Sequence, residues 1–196
     1  KKNTKIEGHI CDVTSEKSVQ NLVKTAEASL SGVDVLINNA GLGGTQSLVD
    51  MTDEDWFKVM DVTLTGTMRM TRAMLGFMRL RKSGVIVNNA SVLGWRAQRD
   101  QSHYAAAKAG VMALTRCAAV EAADFGVRIN AVAPSIAIHE FLEKTTSREL
   151  LQELAEKEAF GRAAEVWEVA NVIIFLSSKY SSYMTGEVVP VSSQRA

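Results

Sequence analysis

The sequence predicts an α/β domain with a doubly wound parallel sheet, and three observations support this fold class. Short apolar runs typical of buried strands alternate with longer segments of helical periodicity. Small or polar residues directly follow several of these runs, at the strand ends where open α/β sheets bind ligands. The 196 residues are 46% hydrophobic and 22% charged, as in an ordinary globular protein. We therefore expect a single domain over residues 1–196.

The front of the chain is predicted to form a strand, a helix and a second strand. Residues 5–11 are apolar enough for a short strand, and residues 12–16 supply a turn and a helix N-cap. Apolar side chains then recur at three-to-four spacing to about residue 30, which is typical of a one-sided helix. Gly32 ends this helix, and residues 33–37 form an apolar strand of the kind found inside a parallel sheet.

A long helix is predicted next, over residues 56–81. Thr52 is its expected N-cap, and Asp55 stands where its carboxylate can bond back to the cap. The methionine-rich apolar stripe of this segment indicates core or a subunit interface rather than a cofactor site. Ser83 and Gly84 break the helix before the next strand, at residues 84–90.

The second half of the chain continues the alternation. A helix is predicted over residues 104–124, followed by a strand over residues 127–134 that Pro134 stops. Residues 139–158 are helical and mixed in polarity, and a further helix is expected over residues 165–176. A last strand over residues 187–191 contains Pro190, which indicates an edge or a strand end.

Charge and composition exclude several function classes. The chain has 22 Lys plus Arg against 22 Asp plus Glu, a balance that favours neither nucleic acid nor an anionic membrane as partner. No apolar stretch reaches the roughly 18 residues that span a bilayer, and no signal-peptide segment follows the first lysines, so we expect a cytoplasmic protein. Cys11 and Cys117 are too few for a disulfide framework and are predicted to be buried small hydrophobes. No metal site is expected.

Ser91, Tyr104 and Lys108 are the candidate catalytic residues. Tyr104 and Lys108 are four positions apart, so a helix places both on one face. A free phenol has a pKa of about 10, and a neighbouring ammonium lowers that pKa, which would let the tyrosine exchange protons near neutral pH. Ser91 ends the strand predicted at residues 84–90, so its hydroxyl is expected at the ligand-binding edge of the sheet.

This constellation resembles the short-chain dehydrogenase/reductase family. The family has the same separation of twelve residues between its strand-end serine and its helical tyrosine, and it shares the motif Asn38-Asn39-Ala40-Gly41. The resemblance extends from about residue 12 to residue 191. It implies a Rossmann-like fold that binds NAD or NADP, in which Ser91 holds the substrate oxygen and Tyr104 moves its proton.

The resemblance also implies the cofactor contacts. Lys108 would lower the pKa of Tyr104 and bind the ribose, so that both residues lie at the cofactor as well as at the substrate. Asp12, Val13 and Asn39 would contact the adenine. The motif residues Asn39, Ala40 and Gly41 would lie beneath the cofactor, and the backbone of Ala137 would meet the carboxamide.

The chain departs from the family pattern at four places. Thr63 stands where the family has the asparagine that holds a relay water behind the lysine. Either the relay is altered, or the backbone and a water suffice while Thr63 merely packs; we favour the second. Ser135 and His139 replace a glycine and a threonine near the carboxamide. His139 is a candidate to donate in place of the threonine, against the plainer interpretation of an exposed loop side chain. Residues 192–194 replace a Gly-Gly, for which the sequence offers no explanation.

The family's front unit of strand, Gly-rich turn, helix and strand is missing from this sequence. Such a unit needs about 30 residues and holds the pyrophosphate. We therefore expect the sequence to be part of a longer protein. The residue that selects NAD or NADP lies in that unit, so the sequence leaves the choice open.

The resemblance implies an oxidoreductase that interconverts a secondary alcohol and a ketone. A substrate lid is expected at about residues 139–160, and its apolar side chains, with Trp95, favour an apolar ketone such as a 3-oxoacyl thioester or a sterol-ring ketone. Those lid side chains are Phe141, Leu142, Leu150 and Leu151. Two alternatives stay open: a catalytically silent scaffold, and a lyase or epimerase on the same fold. The apolar stripes of helices 56–81 and 104–124 predict a homodimer or homotetramer.

Overall fold

The computed structural model describes residues 6–193, and its centre is a four-stranded parallel sheet. The strands are β1 (Val35–Asn38), β2 (Gly84–Asn89), β3 (Val127–Pro134) and β4 (Val188–Val191). Their spatial order is β1-β2-β3-β4, and every neighbouring pair is parallel. Pro190 lies in β4, which pairs with β3 alone among the described residues, so the prediction of an edge position for this proline is confirmed.

Helices cover both faces of the sheet, as a doubly wound fold requires. The α-helices of the described chain are α1 (Glu16–Ser29), α2 (Asp53–Met60), α3 (Gly66–Arg81), α4 (Ser102–Ala123), α5 (Glu140–Thr145), α6 (Arg148–Glu156) and α7 (Val166–Ser177). Three of them, α1, α3 and α4, pack on one face around Ile86 and Ile129. Helix α7 packs on the other face around Val87 and Val132. Successive side chains of a strand point to opposite faces, which is why Ile86 and Val87 belong to different cores.

The predicted helix starts follow from capping chemistry. Ser15 caps α1 by accepting a hydrogen bond from the backbone N–H of Ser18. Thr52 and Asp55 form a reciprocal capping box at the start of α2. These side chains satisfy N–H groups that the first helical turn leaves unpaired, so the starts of α1 and α2 are fixed locally.

A buried chain of amides and hydroxyls ties β1 and β2 to the helices beneath them. The Asn38 amide donates to the Thr71 hydroxyl at 3.0 Å and to Asn88 Oδ1 at 2.8 Å. The Asn88 amide donates in turn to the Thr115 hydroxyl at 2.9 Å. Because Asn88 and Thr115 are fully buried, these groups have no water to replace a lost partner.

Asn88→Ala is expected to lower the free energy of unfolding by about 2–4 kcal/mol, because it removes one hydrogen bond from the buried Asn38 amide and one from the buried Thr115 hydroxyl and leaves a cavity in their place. Urea unfolding followed by circular dichroism measures this change. Asn171→Ala, on the exposed surface of α7, is the matched control and should change stability by less than about 0.5 kcal/mol. Equal losses of stability in the two variants would show that these buried hydrogen bonds contribute little.

The helix predicted over residues 56–81 contains an interruption that the sequence did not reveal. A π-helical turn, Asp61–Thr65, separates α2 from α3. The Thr67 hydroxyl donates to the Thr63 carbonyl at 2.8 Å, and so gives that carbonyl an additional partner next to the turn. Such turns are frequent at functional sites.

Two further sequence predictions were wrong. Residues 6–11 form no strand, and Ile6 and Ile10 are exposed, because the described chain places no strand beside them to complete a ladder. Cys117 is exposed on the outer face of α4, and Cys11 is only half-buried. The segment 139–158 is helical, as predicted; it forms two helices, α5 and α6, which separate at Thr146 because Ser147 caps the second.

Candidate functional site

A cavity of about 790 Å³ opens at the carboxyl ends of β1, β2 and β3. The loops after these strands form one side of it, and α4, the segment around α5 and α6, and α7 complete it. Six of the residues singled out from the sequence line this cavity together: Asn39, Gly41, Ser91, Tyr104, Lys108 and Ala137. Residues up to 98 positions apart, Asn39 and Ala137, are brought together there because parallel strands end at one edge of the sheet.

Ser91 lies just beyond the carboxyl end of β2, and the turn that follows it fixes its side chain. It is buried, and its hydroxyl oxygen accepts the backbone N–H of Leu93 at 3.2 Å, which caps a short 3₁₀ helix, Val92–Gly94. The hydroxyl also forms a hydrogen bond with the Tyr104 phenol. Both hydroxyls can therefore reach a single oxygen atom in the cavity.

Lys108 lies one helical turn beyond Tyr104 on the same face of α4. Its Nζ is 5.5 Å from the centre of the Tyr104 ring and donates to the backbone carbonyl of Asn89 at 2.6 Å. The side chain is buried, and this burial lowers the pKa of Lys108 to about 8. The ammonium is therefore still the main form at pH 7, by about ten to one, but the neutral amine becomes the main form above about pH 8.

The pKa of Tyr104 differs from the expected direction. Burial raises the pKa of the phenol, and the hydrogen bond from Ser91 opposes that rise. Desolvation disfavours the phenolate more than the neighbouring groups favour it, because removal from water costs a charged oxygen more than one hydrogen bond returns. The prediction that lysine brings this pKa below its ordinary value is therefore wrong for the chain in this state.

Thr63 does more than pack. Its buried hydroxyl accepts the backbone N–H of Leu42 at 2.9 Å and donates to the Leu42 carbonyl at 3.0 Å. Leu42 belongs to the loop after β1, and the preceding Gly41 lies against the Lys108 amine, since a Cβ placed on it would be 3.6 Å from Nζ. Thr63 thus fixes the loop that closes over the lysine.

Thr63→Val should lower the free energy of unfolding by about 1–3 kcal/mol, because it leaves both Leu42 backbone groups without their partner. If the loop positions the lysine, kcat should fall about threefold to tenfold as well. Urea unfolding and steady-state kinetics measure the two effects. Thr63→Ser keeps the hydroxyl and is the control. A Val variant as stable and active as the Ser variant would show that the two bonds matter little.

The sequence did not single out the glycine loop after Gly41, although Gly43, Gly44 and Thr45 line the cavity. A Cβ placed on Gly43 would lie 3.5 Å from Tyr104 Cδ2, so the backbone passes directly beside the phenol ring. Two adjacent glycines after a strand are the signal that could have indicated this close approach.

Several other predicted site residues do not line the cavity. Asp12 is exposed, and its carboxylate accepts bonds from the hydroxyl and the N–H of Thr14, which hold the pKa of that carboxyl below its usual value. Val13 packs toward Gly66, where a Cβ would lie 2.8 Å from it. Ala40 is exposed, as is Trp95, which contradicts the expectation that this indole shapes the cavity.

The segment predicted to be a lid does contribute to the cavity wall. Leu142, Leu150 and Leu151 line it. The side chain of Phe141 lies outside the described part of the chain. His139 also lines the cavity, and its Nδ1 accepts the N–H of Leu142 at 3.4 Å as the N-cap of α5.

The residues at the strand ends fit the nicotinamide and ribose half of a dinucleotide. The Asn89 amide nitrogen donates to Asn39 Oδ1 at 2.7 Å, while the buried Asn89 Oδ1 has no hydrogen-bond partner within the described chain. This acceptor, the Lys108 amine and the backbone at Ala137 line one cavity, and they match the hydroxyl and amide groups of such a ligand. Over residues 6–193 there is no cluster of three or more His, Cys, Asp or Glu side chains that could hold a metal ion.

In the described part of the chain, no helix has both the length and the apolar character that crossing a bilayer requires.

Known proteins resemble this chain along almost its whole length. The family model described as enoyl-(acyl carrier protein) reductase matches residues 2–193. The chain is 63% identical, over 97% of its length and 73% of the relative's, to the (5R,7aS)-5-hydroxy-7a-methyl-1-oxo-2,3,5,6,7,7a-hexahydro-1H-indene-carboxyl-CoA reductase of Mycobacterium tuberculosis. It is 38% identical to the 3-oxoacyl-(acyl-carrier-protein) reductase of Thermotoga maritima, over 95% of this chain and 76% of the relative.

A solved structure shows the same fold. The crystal structure of a short chain dehydrogenase from Mycobacterium smegmatis superimposes with a TM-score of 0.84 at 60% identity, covering 97% of this chain and 71% of that one. The family match, the relatives and the parallel sheet agree. The chain belongs to the short-chain dehydrogenase/reductase family, and the relatives named above are reductases and a dehydrogenase.

Proposed function

We propose that this chain carries out the NAD(P)-dependent interconversion of a secondary alcohol and a ketone on an apolar, lipid-derived substrate. The observation that carries the proposal is the meeting of Ser91, Tyr104 and Lys108 in one cavity whose opposite wall is formed by leucines. The cofactor, when bound, supplies or accepts the hydride. The names of the relatives, a CoA-ester reductase and a 3-oxoacyl reductase, support the same reaction class.

The protein's own contribution is to hold and protonate the substrate oxygen. Ser91 donates its hydroxyl to the carbonyl oxygen, and Tyr104 gives that oxygen a proton during reduction and takes it back during oxidation. The hydrogen bond between the two hydroxyls means that they are close neighbours, so a substrate oxygen bound between them receives the single Ser91 proton in place of the phenol. Lys108, anchored on the Asn89 carbonyl, stabilises the tyrosinate that remains after the proton has left.

The cofactor contacts follow from the residues around this centre. Asn39 and Gly41 form the floor with Ala40 beside them, Lys108 binds the ribose, and the backbone at Ala137 meets the carboxamide. Contacts of Asp12 and Val13 with the adenine and the location in the cytoplasm stay predictions of the sequence, which favours neither NAD nor NADP.

The apolar wall favours a lipid-type ketone. Leu150, Leu151 and Leu154 face the cavity from the lid segment, residues 139–160, and Val169 and Ile173 face it from α7. Such a wall suits an acyl chain or a fused-ring ketone, because burying each methylene contributes about 0.8 kcal/mol. A 3-oxoacyl thioester and a bicyclic ring ketone are the two substrates proposed.

The direct test uses the complete protein with NADH and with NADPH, each with a 3-oxoacyl thioester and with a bicyclic ketone. The near-ultraviolet absorbance of the reduced nicotinamide should fall during turnover, with one cofactor preferred. Product formation without a net absorbance change would instead indicate a lyase or epimerase, which recycles its cofactor. Absence of product and of absorbance change with every pair would indicate a silent scaffold.

The protein is expected to assemble as a homodimer or homotetramer. The outer faces of α2, α3 and α4 expose large apolar side chains, namely Phe57, Leu80 and Val120. Symmetric association would remove these side chains from water. Light scattering on the complete protein at micromolar concentration should therefore give twice or four times the mass of one chain. A monomer under those conditions would contradict the expectation.

A further inference from the structure

Arg96 is a cation in the substrate cavity that the reaction described above does not use. Of the described residues lining the cavity, two carry lysine or arginine side chains, Lys108 and Arg96. Lys108 is anchored beside Tyr104. Arg96 lies five residues after Ser91, directly after the 3₁₀ turn, and its backbone N–H donates to the Val92 carbonyl at 2.8 Å. The turn that presents the serine therefore also fixes the start of the arginine side chain.

Among the described residues, the charge of Arg96 has no acidic partner. Within residues 6–193, Arg96 takes part in none of the ion pairs, although the other charges of its own loop do pair, Arg99 with Asp100 at 3.8 Å. Its side-chain hydrogen bond runs from Nη2 to the Ser192 hydroxyl at 3.4 Å. A guanidinium has five N–H donors, so most of its donors remain available on the cavity side.

The two serines after β4, Ser192 and Ser193, each form a hydrogen bond with one charged residue that lines the cavity. Ser192 contacts Arg96, while the next residue, Ser193, donates to the carboxylate of Glu158 at 3.0 Å. Glu158 is buried and also lines the cavity, yet it forms no ion pair with Arg96. Each charged group thus contacts its own hydroxyl, and no acidic side chain of the described residues neutralises Arg96. This gives a physical role to the two serines that stand in place of a Gly-Gly.

We propose that Arg96 binds an anionic oxygen group of the substrate, a carboxylate or phosphate carried at a distance from the reacting ketone. The guanidinium fork matches the paired oxygens of such a group, and its partial burial strengthens the attraction relative to bulk water. The inference rests on the proposed function, because it places the ketone at Ser91 and Tyr104. It narrows the substrate class to lipid-type ketones that carry a negative charge.

A matched pair of ligands tests this assignment: 9-oxodecanoate and its methyl ester, which differ in one charge. Arg96→Met removes the guanidinium and keeps an apolar stem of similar length. Arg99→Met is the control, since Arg99 lies three residues further on, has 95% of its side chain exposed and does not line the cavity. For each ligand, KM is measured with the complete enzyme and the reduced cofactor. Kd is measured by calorimetry with the oxidised cofactor, which cannot reduce the ketone.

The wild type and Arg99→Met should bind the acid about tenfold more tightly than the ester, and Arg96→Met should lose that preference without weakening the ester more than about twofold. Equal affinity of the wild type for acid and ester would overturn the assignment, as would a preference that survives in Arg96→Met. The calorimetric measurement separates this result from the proposed function. Preferential binding of the acid without turnover would leave Arg96 as an anion site and reject the oxidoreductase step for this ligand.

Discussion

Tyr104→Phe is expected to lower kcat by about 10²–10⁴-fold while leaving the fold unchanged, because it removes the proton donor and keeps the aromatic ring. The Phe ring fills the same space beside Gly43, so the melting temperature should stay within a few degrees. Steady-state kinetics and thermal unfolding of the complete enzyme measure the two quantities. Tyr183→Phe is the matched control, since that tyrosine is fully exposed and lies away from the cavity.

Retention of more than a few per cent of wild-type kcat by Tyr104→Phe would exclude the phenol as the proton donor. In that case the Ser91 hydroxyl or a water bound near it would have to carry the proton. A large fall in melting temperature would also weaken the assignment, because lost activity could then follow from lost structure.

Lys108→Met is the second substitution with a large expected effect. Without the ammonium, only the hydrogen bond from Ser91 opposes the burial that already raises the pKa of Tyr104, so that pKa should rise further. We expect a loss of about 10²-fold or more in kcat at pH 7, an activity profile displaced to higher pH, and weaker cofactor binding. Kinetics from pH 6 to pH 10 give the profile, and an unchanged profile would contradict the electrostatic role.

Lys108→Met should raise the free energy of unfolding although it lowers activity, and the size of this gain in stability should depend on pH. The Lys108 amine has a pKa of about 8 in the folded chain against the ordinary 10.5. Between these two values the unfolded chain binds the proton and the folded chain does not, so the stability of the wild type relative to Lys108→Met rises with pH across that window. The full rise is about 3 kcal/mol, and the advantage of the Met variant is greatest below pH 8.

Urea unfolding of both proteins at pH 7 and at pH 10.5 tests this dependence, because groups common to the two chains cancel in the difference. Lys24→Met, at an exposed position on α1, should show no such pH dependence. A difference between wild type and Lys108→Met that stays constant over this range would mean that the amine keeps its ordinary pKa despite its burial.

Local signals in the sequence were enough to predict most of the fold. The caps at Ser15 and Thr52, the apolar runs and the stop at Pro134 all act within a few residues, and the structure places the corresponding elements within a few positions. The strand predicted at residues 5–11 is absent from its described part, residues 6–11, for a different reason. A strand depends on a neighbour for its hydrogen bonds, and no local pattern can supply that neighbour.

The sequence was enough to predict which residues form the candidate site, but not their pKa values or their contacts with distant segments. The spacing of Ser91, Tyr104 and Lys108 was enough to bring them together. The direction of the tyrosine pKa was not predictable, because it depends on how much of the phenol the surrounding chain removes from water. The bonds of Thr63 to Leu42 and the approach of Gly43 to Tyr104 join segments about 20 or 60 positions apart in the sequence, so they too required the three-dimensional arrangement.

The π-helical turn at Asp61–Thr65 makes this part of the chain sensitive to length rather than to composition. One extra residue in a helix shifts everything after it by about 100° around the axis, since an α-helix has 3.6 residues per turn. Deleting a residue here would restore a regular helix between α2 and α3, but it would rotate Met74 and Met78 away from the core they now fill. Single-residue deletions in this turn should therefore lower stability far more than substitutions at the same positions. The extra residue sets the rotation of α3 about its axis, and this rotation matters more than any one side chain of the turn.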